Sequence, residues 1–253
     1  MEEQASQQTY AVLIDGDNAQ AALLPRILEE VSKFGLITIK RIYGDWTTPA
    51  MNQWKDTLHL HAIQPVQQFR NTVGKNATDS AMIIDAMDLL HDNDLQGFCI
   101  VSSDSDYTRL ATRIREKGLF VIGVGVQKTP EAFVNACNQF IYTENLQPAM
   151  APKRRSRRRR KKSDSAEPAE LTEPEGILLK GFEMSAKDEG WTYLSTLGNR
   201  LRQLNPAFDP RTYHRPNLIS LLKDFPGTFV VKHDRTKNPP VITVALKSGP
   251  GSD

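Results

Sequence analysis

Short apolar runs alternate with longer amphipathic stretches over residues 10–146 of the chain. The runs are rich in β-branched and aromatic residues and end in turn-forming residues, which predicts strands. They are Tyr10–Ile14, Ile37–Tyr43, Ala62–Val66, Gly97–Ser102, Leu119–Val124 and Phe140–Tyr142. The stretches between them predict helices at Ala19–Phe34, Pro49–Leu60, Thr78–His91, Tyr107–Lys117 and Pro130–Ala136. This alternation predicts an α/β domain with a doubly wound parallel sheet and helices on both faces.

A second, smaller unit is predicted over residues 173–247. Helical periodicity of apolar residues predicts three helices, within Ile177–Glu189, Tyr193–Leu204 and Arg211–Phe225. Alternating apolar and polar residues then predict two strands, Thr228–Lys232 and Val241–Leu246. Three helices followed by a hairpin is the pattern of a small α+β winged helix-turn-helix domain.

Residues 148–172 separate the two units, so the predicted domains are 1–147 and 173–247. The segment 153–162 has nine basic residues in ten, and 164–175 has five acidic residues and no basic one. The like charges within each run repel one another and oppose compact packing, so we expect a disordered linker.

Charge is distributed unevenly between the two halves of the chain. Residues 1–150 carry 12 Lys and Arg against 18 Asp and Glu, whereas residues 151–253 carry 20 against 12. This asymmetry predicts that the first part holds cations and the second attracts a polyanion.

Pairs of acidic residues directly follow two of the predicted strands. Asp15 and Asp17 come after the first strand, and Asp104 and Asp106 come after the fourth. The carboxyl ends of parallel strands line the crevice where ligands bind, so Asp15 and Asp104 would face each other if these strands are neighbours. Buried carboxylates need a neutralising partner, and a divalent cation is the simplest one. The sequence therefore predicts metal-dependent chemistry on phosphate.

Helix capping is the structural alternative for several of these polar residues. Asn18, Ser103 and Asp104 each suit a helix N-terminus, but a cap requires one such residue and not a pair of carboxylates. Asp79 begins the third helix, where capping and participation in the crevice are equally compatible with the pattern. The acids further along that helix are interpreted as ordinary surface charges: Asp85, Asp88 and Asp92.

Basic residues supply candidates for nucleic acid contact. Arg70 and Lys75 precede the third helix, and either contact phosphate or are exposed loop cations. The linker arginines bind phosphates by counterion release, or serve as a localisation signal or solubility tail; they are represented by Arg154, Arg155, Arg157 and Arg158.

A basic and aromatic cluster stands at the start of the last predicted helix. It suits phosphate contact and base stacking, or alternatively core packing by its tyrosine and a turn cap by its first arginine. Its members are Arg211, Tyr213, His214 and Arg215.

Composition excludes some other classes of protein. Hydrophobic residues make up 39% of the chain, and no apolar run approaches the roughly 20 residues of a membrane span. The acidic, polar N-terminus is not a secretory signal. Cys99 and Cys137 lie in apolar segments, as buried, reduced thiols do, which favours a cytoplasmic location.

Three ordered motifs identify a resemblance over residues 10–146. Val12-Leu-Ile-Asp-Gly-Asp-Asn18, Lys75-x-x-x-Asp79 and Val101-Ser-Ser-Asp-Ser-Asp-Tyr107 resemble those of the NYN domain family of PIN-like ribonucleases, which includes LabA-like proteins. Residues 173–247 resemble the OST-HTH (LOTUS) domain, an RNA-binding winged helix, in overall pattern.

This resemblance implies a Mg²⁺- or Mn²⁺-dependent ribonuclease whose RNA substrate is single-stranded or structured. By matching position, Asp15, Asp79, Asp104 and Asp106 would be the catalytic, metal-binding acids, with Asp17 as a further metal ligand. Asn18 and Ser103 would organise the loops. The product would carry a 5′-phosphate.

Two other functions remain open on the sequence. A non-catalytic RNA-binding adaptor would use the linker and the winged helix alone. A haloacid dehalogenase-type phosphatase shares the Asp15-x-Asp17 pattern, but Asn18-Ala19 follows where that family has Thr or Val. A homodimer and a protein partner for the C-terminal domain also stay open; a membrane partner is not expected.

Overall fold

The computed structural model describes residues 8–69, 77–92, 94–147, 173–185, 190–234 and 241–247. The chain divides into two compact units, Met1–Gln147 and Pro148–Asp253. Among the described residues, no helix is both long and apolar enough to span a bilayer.

The first unit is built on a six-stranded parallel sheet. Its strands, β1 to β6, are Thr9–Asp15, Leu36–Gly44, Gln64–Gln67, Gly97–Val101, Phe120–Gly125 and Gln139–Tyr142. Their order is β3-β2-β1-β4-β5-β6, and every neighbouring pair is parallel. The strands β1 and β4 are neighbours, which is the condition under which Asp15 and Asp104 were expected to face each other, and the order reverses between them. This doubly wound α/β topology confirms the predicted fold.

Helices cover both faces of this sheet. They are α1 to α5, at Leu24–Ser32, Lys55–His61, Ala77–Asp92, Thr108–Glu116 and Glu131–Ala136. Ile42 of β2 belongs to one core cluster with Leu24 and Ile27 of α1. The next residue, Tyr43, hydrogen-bonds Asp85 of α3. Since successive strand residues point to opposite faces, α1 and α3 lie on opposite sides.

Element boundaries differ from the predicted ones in a few places. Three predicted helices begin as 3-10 turns, at Ala21–Leu23, Pro49–Trp54 and Ser105–Tyr107. The prediction that β3 begins at Ala62 is wrong, because Ala62 has φ of 50° and ends α2 in the left-handed conformation. The strand therefore starts two residues later.

The second unit combines three helices with a small antiparallel sheet, which confirms the winged-helix α+β prediction. Its elements are α6 (Glu173–Glu183), β7 (Trp191–Tyr193), α7 (Leu194–Leu204), α8 (Leu218–Leu222), β8 (Phe229–Asp234) and β9 (Val241–Leu246). The sheet order is β7-β9-β8. The helices and one sheet face share a core that includes Leu178, Leu197, Leu221, Phe229 and Val244.

Two predictions for this unit need correction. The helix predicted over Arg211–Phe225 is divided into a 3-10 turn, Pro210–Tyr213, and the short α8. His214 has φ of 59°, and Pro216 disfavours helical backbone at the residue before it, so the helix restarts only after the proline. The strand β7 was not predicted, since three residues are too few to display an alternation.

Both cysteines are buried and free, as predicted. Burial raises the pKa of the Cys137 thiol to about 12 and also raises that of Cys99. Within the folded domain these thiols are therefore protonated and unreactive at neutral pH.

Candidate active site

The acidic residues that follow β1 and β4 lie at the switch point of the sheet. Asp15 is the last residue of β1 and is paired in register with Tyr43 of β2. The strand β4 ends at Val101 on the other side of β1 and leads into the loop that carries Asp104 and Asp106. The fold thus brings the two acidic segments to one edge of the sheet.

Asp15 is fully buried and its carboxylate is surrounded by donors. One oxygen accepts from the backbone nitrogens of Asp17 and Asn18, at 3.1 and 3.3 Å. The other accepts from Asn18 Nδ2 at 2.6 Å and from Ser102 Oγ at 2.9 Å. These four bonds fill the acceptor positions of a carboxylate. Asp15 therefore ties the β1 loop to the end of β4.

Asn18 does not cap the helix that follows it. Its side chain donates to Asp15, and the 3-10 turn at Ala21–Leu23 has Gln20 at its N-cap position without a side-chain hydrogen bond. The capping alternative is thus wrong for Asn18, whose contacts organise the loop instead.

Glycine is required at two close approaches around this loop. A Cβ at Gly16 would lie 2.8 Å from the Tyr43 carbonyl oxygen. A Cβ at Gly125, the end of β5, would lie 2.6 Å from the Ser102 carbonyl oxygen. A larger residue at either position would push the acidic loops away from the neighbouring strand.

The second acidic loop is fixed by its own serines. Ser102 Oγ accepts from the Asp104 backbone nitrogen at 3.1 Å, so this serine links Asp104 to Asp15. Ser103 Oγ accepts from the Val126 nitrogen at 2.9 Å and joins the loop to the end of β5. Asp104 caps the 3-10 turn by accepting from the Asp106 nitrogen at 3.0 Å.

Asp79 approaches from the first turn of α3. The buried hydroxyl of Tyr107 donates to its carboxylate at 2.7 Å. The neighbouring Thr78 donates to Asp17 at 3.2 Å, so α3 also contacts the β1 loop.

Three carboxylates converge at this point. Among the described residues, Asp79, Asp104 and Asp106 each offer an oxygen, and the three oxygens lie within 4.8 Å of one another. Asp15 and Asp17 are beside this group but outside it. Carboxylate oxygens are hard ligands of the kind that Mg²⁺ and Mn²⁺ prefer, so the donor set fits the implied metal.

Electrostatics at the site favours a cation. Burial raises the pKa of Asp79 above its ordinary 3.8, and the charges of Asp104 and Asp106 raise it further, while the hydrogen bond from Tyr107 lowers it. Burial also raises the pKa of Asp15, against the hydrogen bonds from Asn18 and Ser102. Like charges at this distance disfavour each other's ionised form, and a divalent ion would offset that repulsion.

Sequence reasoning missed the supporting residues. Ser102 and Tyr107 belong to the same motif as Asp104, but only the fold shows that they contact Asp15 and Asp79. Asp85 was also misinterpreted from the sequence, as a surface charge. Asp85 is half-buried and accepts hydrogen bonds from Arg41 and Tyr43 on β2.

Several candidates for RNA contact lie outside the described residues. They are Arg70, Lys75, Arg154, Arg155, Arg157 and Arg158.

The two arginines of the C-terminal cluster form ion pairs within their own domain. Arg211 pairs with Asp209 at 2.7 Å, and Arg215 pairs with Asp224 at 2.5 Å.

The rest of that cluster divides between core and surface. Tyr213 packs against the domain core and lies near Phe208, with 6.2 Å between ring centroids. His214 is exposed in the left-handed turn. These four residues precede α8 and do not open it, which corrects their predicted place.

The first domain has an acidic site at the switch point of a doubly wound sheet, and a winged-helix domain follows it in the chain. These two features together define a two-domain class of protein. The NYN domain model matches residues 9–145, more than half of the chain, and the chain belongs to the NYN domain family. The OST-HTH/LOTUS domain model matches residues 170–241. The resemblance drawn from the three motifs and the one drawn from the overall pattern of residues 173–247 are thus both confirmed. NYN domains form a nuclease family, and OST-HTH domains bind RNA.

One curated relative is an uncharacterized protein of Methanocaldococcus jannaschii, 28% identical over 121 residues. The match covers 46% of this chain and 47% of that protein, so the chain spans about half the length of this relative.

Two solved structures are also similar to part of the chain. A protein of unknown function from Vibrio parahaemolyticus is 16% identical with a TM-score of 0.46, covering 55% of this chain and 94% of its own. An uncharacterized protein of Nitrosomonas europaea is 24% identical with a TM-score of 0.28, covering 41% of this chain and 98% of its own.

Proposed function

We propose that this protein is a metal-dependent ribonuclease that hydrolyses RNA phosphodiester bonds. The observation that carries the proposal is the convergence of Asp79, Asp104 and Asp106 within 4.8 Å at the switch point of an NYN domain. Three carboxylates in so small a space suit a divalent ion better than any neutral substrate group.

In this proposal the three converging carboxylates hold Mg²⁺ or Mn²⁺. Such an ion polarises a phosphate and lowers the pKa of an attacking water. Tyr107 orients Asp79 by its hydrogen bond, and Asp104 is fixed through the buried Ser102. Such supporting hydrogen bonds keep ligand oxygens in place before the ion binds.

Asp15 and Asp17 take different parts in the proposed site. Asp15 has four hydrogen bonds, so it becomes a direct ligand only if it releases one of them. With these hydrogen bonds in place, Asp15 positions the two acidic loops and adds a negative charge near Asp79. Asp17 is exposed and accepts a hydrogen bond from Thr78, so in this proposal it is a further metal ligand at the border of the acidic group.

RNA recruitment is assigned to the rest of the chain. The NYN half is net acidic, so attraction of the polyanion falls to the basic segment 153–162 and the winged-helix domain. The proposal places the protein in the cytoplasm, as the composition predicts.

Cleavage of labelled RNA tests this proposal. Single-stranded and structured RNA would be incubated with the protein and Mn²⁺, Mg²⁺ or EDTA. We expect cleavage with Mn²⁺ or Mg²⁺, none with EDTA, and products that carry 5′-phosphates. RNA binding without cleavage under any metal would overturn the enzyme and favour the adaptor.

A further inference from the structure

The small sheet of the C-terminal domain has one face in the core and one face outside it. Phe229 and Val231 of β8 and Val244 of β9 belong to the core. Thr192, which is paired with Val244, is 3% exposed. Because strand residues alternate between faces, their neighbours point outward. We call this outward set the wing face: Trp191, Tyr193, Val230, Lys232 and Thr243.

The wing face combines two aromatic residues with a cation. Tyr193 is 42% exposed. Lys232 reaches across β9 from the far strand, and its Nζ lies 4.2 Å from the centroid of the Trp191 ring. The register explains this path, because Lys232 and Tyr193 both pair with Thr243. Within the described part of the chain, Lys232 makes no ion pair.

From this arrangement we infer that the wing face binds single-stranded RNA by stacking an unpaired base on Tyr193, beside the Lys232 ammonium that is held over Trp191. The inference rests on the proposed function for the identity of the ligand as RNA. It adds residues of the small sheet to the candidates for RNA contact, none of which belongs to the cluster Arg211–Arg215.

The exposed ring and the nearby charge both favour a base as the occupant. The Lys232 ammonium covers one face of the half-buried Trp191 ring, so Tyr193 offers the more exposed aromatic surface. Aromatic faces accept any unpaired base, whereas paired bases are inaccessible to them.

The lysine supplies the complementary charge. Its ammonium is held over Trp191 by a cation–π contact and therefore stays at the sheet surface, where the phosphates beside a stacked base would pass. A polar Thr243 and a charged Lys232 interrupt the apolar surface, which suits a nucleic acid strand better than an apolar protein partner.

Binding of a labelled oligouridine to the full-length protein tests the inference. Dissociation constants would be measured in EDTA at about 0.15 M salt, so that cleavage does not interfere. We expect Tyr193→Ala to weaken binding at least about five-fold, equivalent to about 1 kcal/mol. We expect Lys232→Gln to lower the slope of log affinity against log salt by about 0.7.

Leu204→Ala is the matched control, because Leu204 is 39% exposed in the same domain but lies at the end of α7. It should bind like the wild type. Photocrosslinks to the peptide that contains Trp191 and Tyr193 are expected, and are expected to fall in Tyr193→Ala.

The outcomes separate this inference from the proposed function. Unchanged RNA affinity in both Tyr193→Ala and Lys232→Gln would overturn the inference alone, leaving the wing face to a protein partner. Absence of oligouridine binding by the wild type would also overturn the inference, whereas the proposed function is overturned only if RNA is not cleaved with Mn²⁺ or Mg²⁺.

Discussion

The buried hydroxyl of Tyr107 donates to the Asp79 carboxylate at 2.7 Å, joining the loop after β4 to the first turn of α3. These residues are 28 positions apart in the sequence. Burial and nearby negative charge raise the pKa of Tyr107, so it remains a donor throughout the physiological range. The contact holds Asp79 beside Asp104 and Asp106, and therefore sets the geometry of the proposed metal site.

Tyr107→Phe should shift metal binding to higher pH. The hydrogen bond from Tyr107 lowers the pKa of Asp79, so without it the carboxylate keeps its proton to a higher pH. Since a metal ion requires the ionised carboxylate, the pH midpoint of Mn²⁺ binding should rise. Titration of Mn²⁺ over a pH series measures this.

Tyr10→Phe is the control for that experiment. Tyr10 lies at the opposite end of β1, and its hydroxyl contacts Gln8. It should leave the midpoint unchanged. Equal midpoints in all three proteins would contradict the role assigned to Tyr107.

Ser102→Ala should destabilise the first domain by about 1–3 kcal/mol at pH 7. The change removes a donor from the buried Asp15 carboxylate and an acceptor from the Asp104 nitrogen. Urea denaturation measures the loss.

The loss of unfolding free energy in Ser102→Ala should become smaller at low pH. The Ser102 hydrogen bond lowers the pKa of Asp15, so it stabilises the ionised form. The destabilisation should therefore be largest where Asp15 is ionised and diminish as the pH falls through its pKa. Ser105→Ala, at an exposed position of the same loop, should cost less than about 0.5 kcal/mol. A loss that grows at low pH would contradict this account.

Asp85→Ala should destabilise the domain by about 1–3 kcal/mol, because Arg41 and Tyr43 would both lose their acceptor. Arg41 already lacks one hydrogen bond, because its buried Nε has no partner among the described residues. Asp88→Ala is matched in helix propensity but removes an exposed acid of α3, and it should be nearly neutral. Thermal or urea unfolding compares the two; equal stabilities would show that the Asp85 contacts contribute nothing.

The fold could be predicted because its signals are local. Each strand of the first sheet except β3 is an apolar run bounded by turn residues. The acidic positions followed from the rule that ligands bind at the carboxyl ends of parallel strands.

The contacts that distinguish the acids from one another could not be predicted. Whether Asp15 is saturated by hydrogen bonds or open to a metal depends on Ser102, which is 87 residues away in the chain. Asp85 was misinterpreted for the same reason, since its partner Arg41 is on another element 44 residues away. Similarly, β7 exists because it pairs with β9, more than 40 residues further on.

The most direct test of the central claim is the single-turnover rate of RNA cleavage by Asp104→Asn at saturating Mn²⁺, beside Asp88→Asn. Loss of one of the three carboxylates should lower the rate at least about 100-fold, while circular dichroism and RNA affinity stay close to those of the wild type. Asp88→Asn should cleave normally, because Asp88 is outside the acidic group. Full activity in Asp104→Asn would contradict the assignment of the metal site.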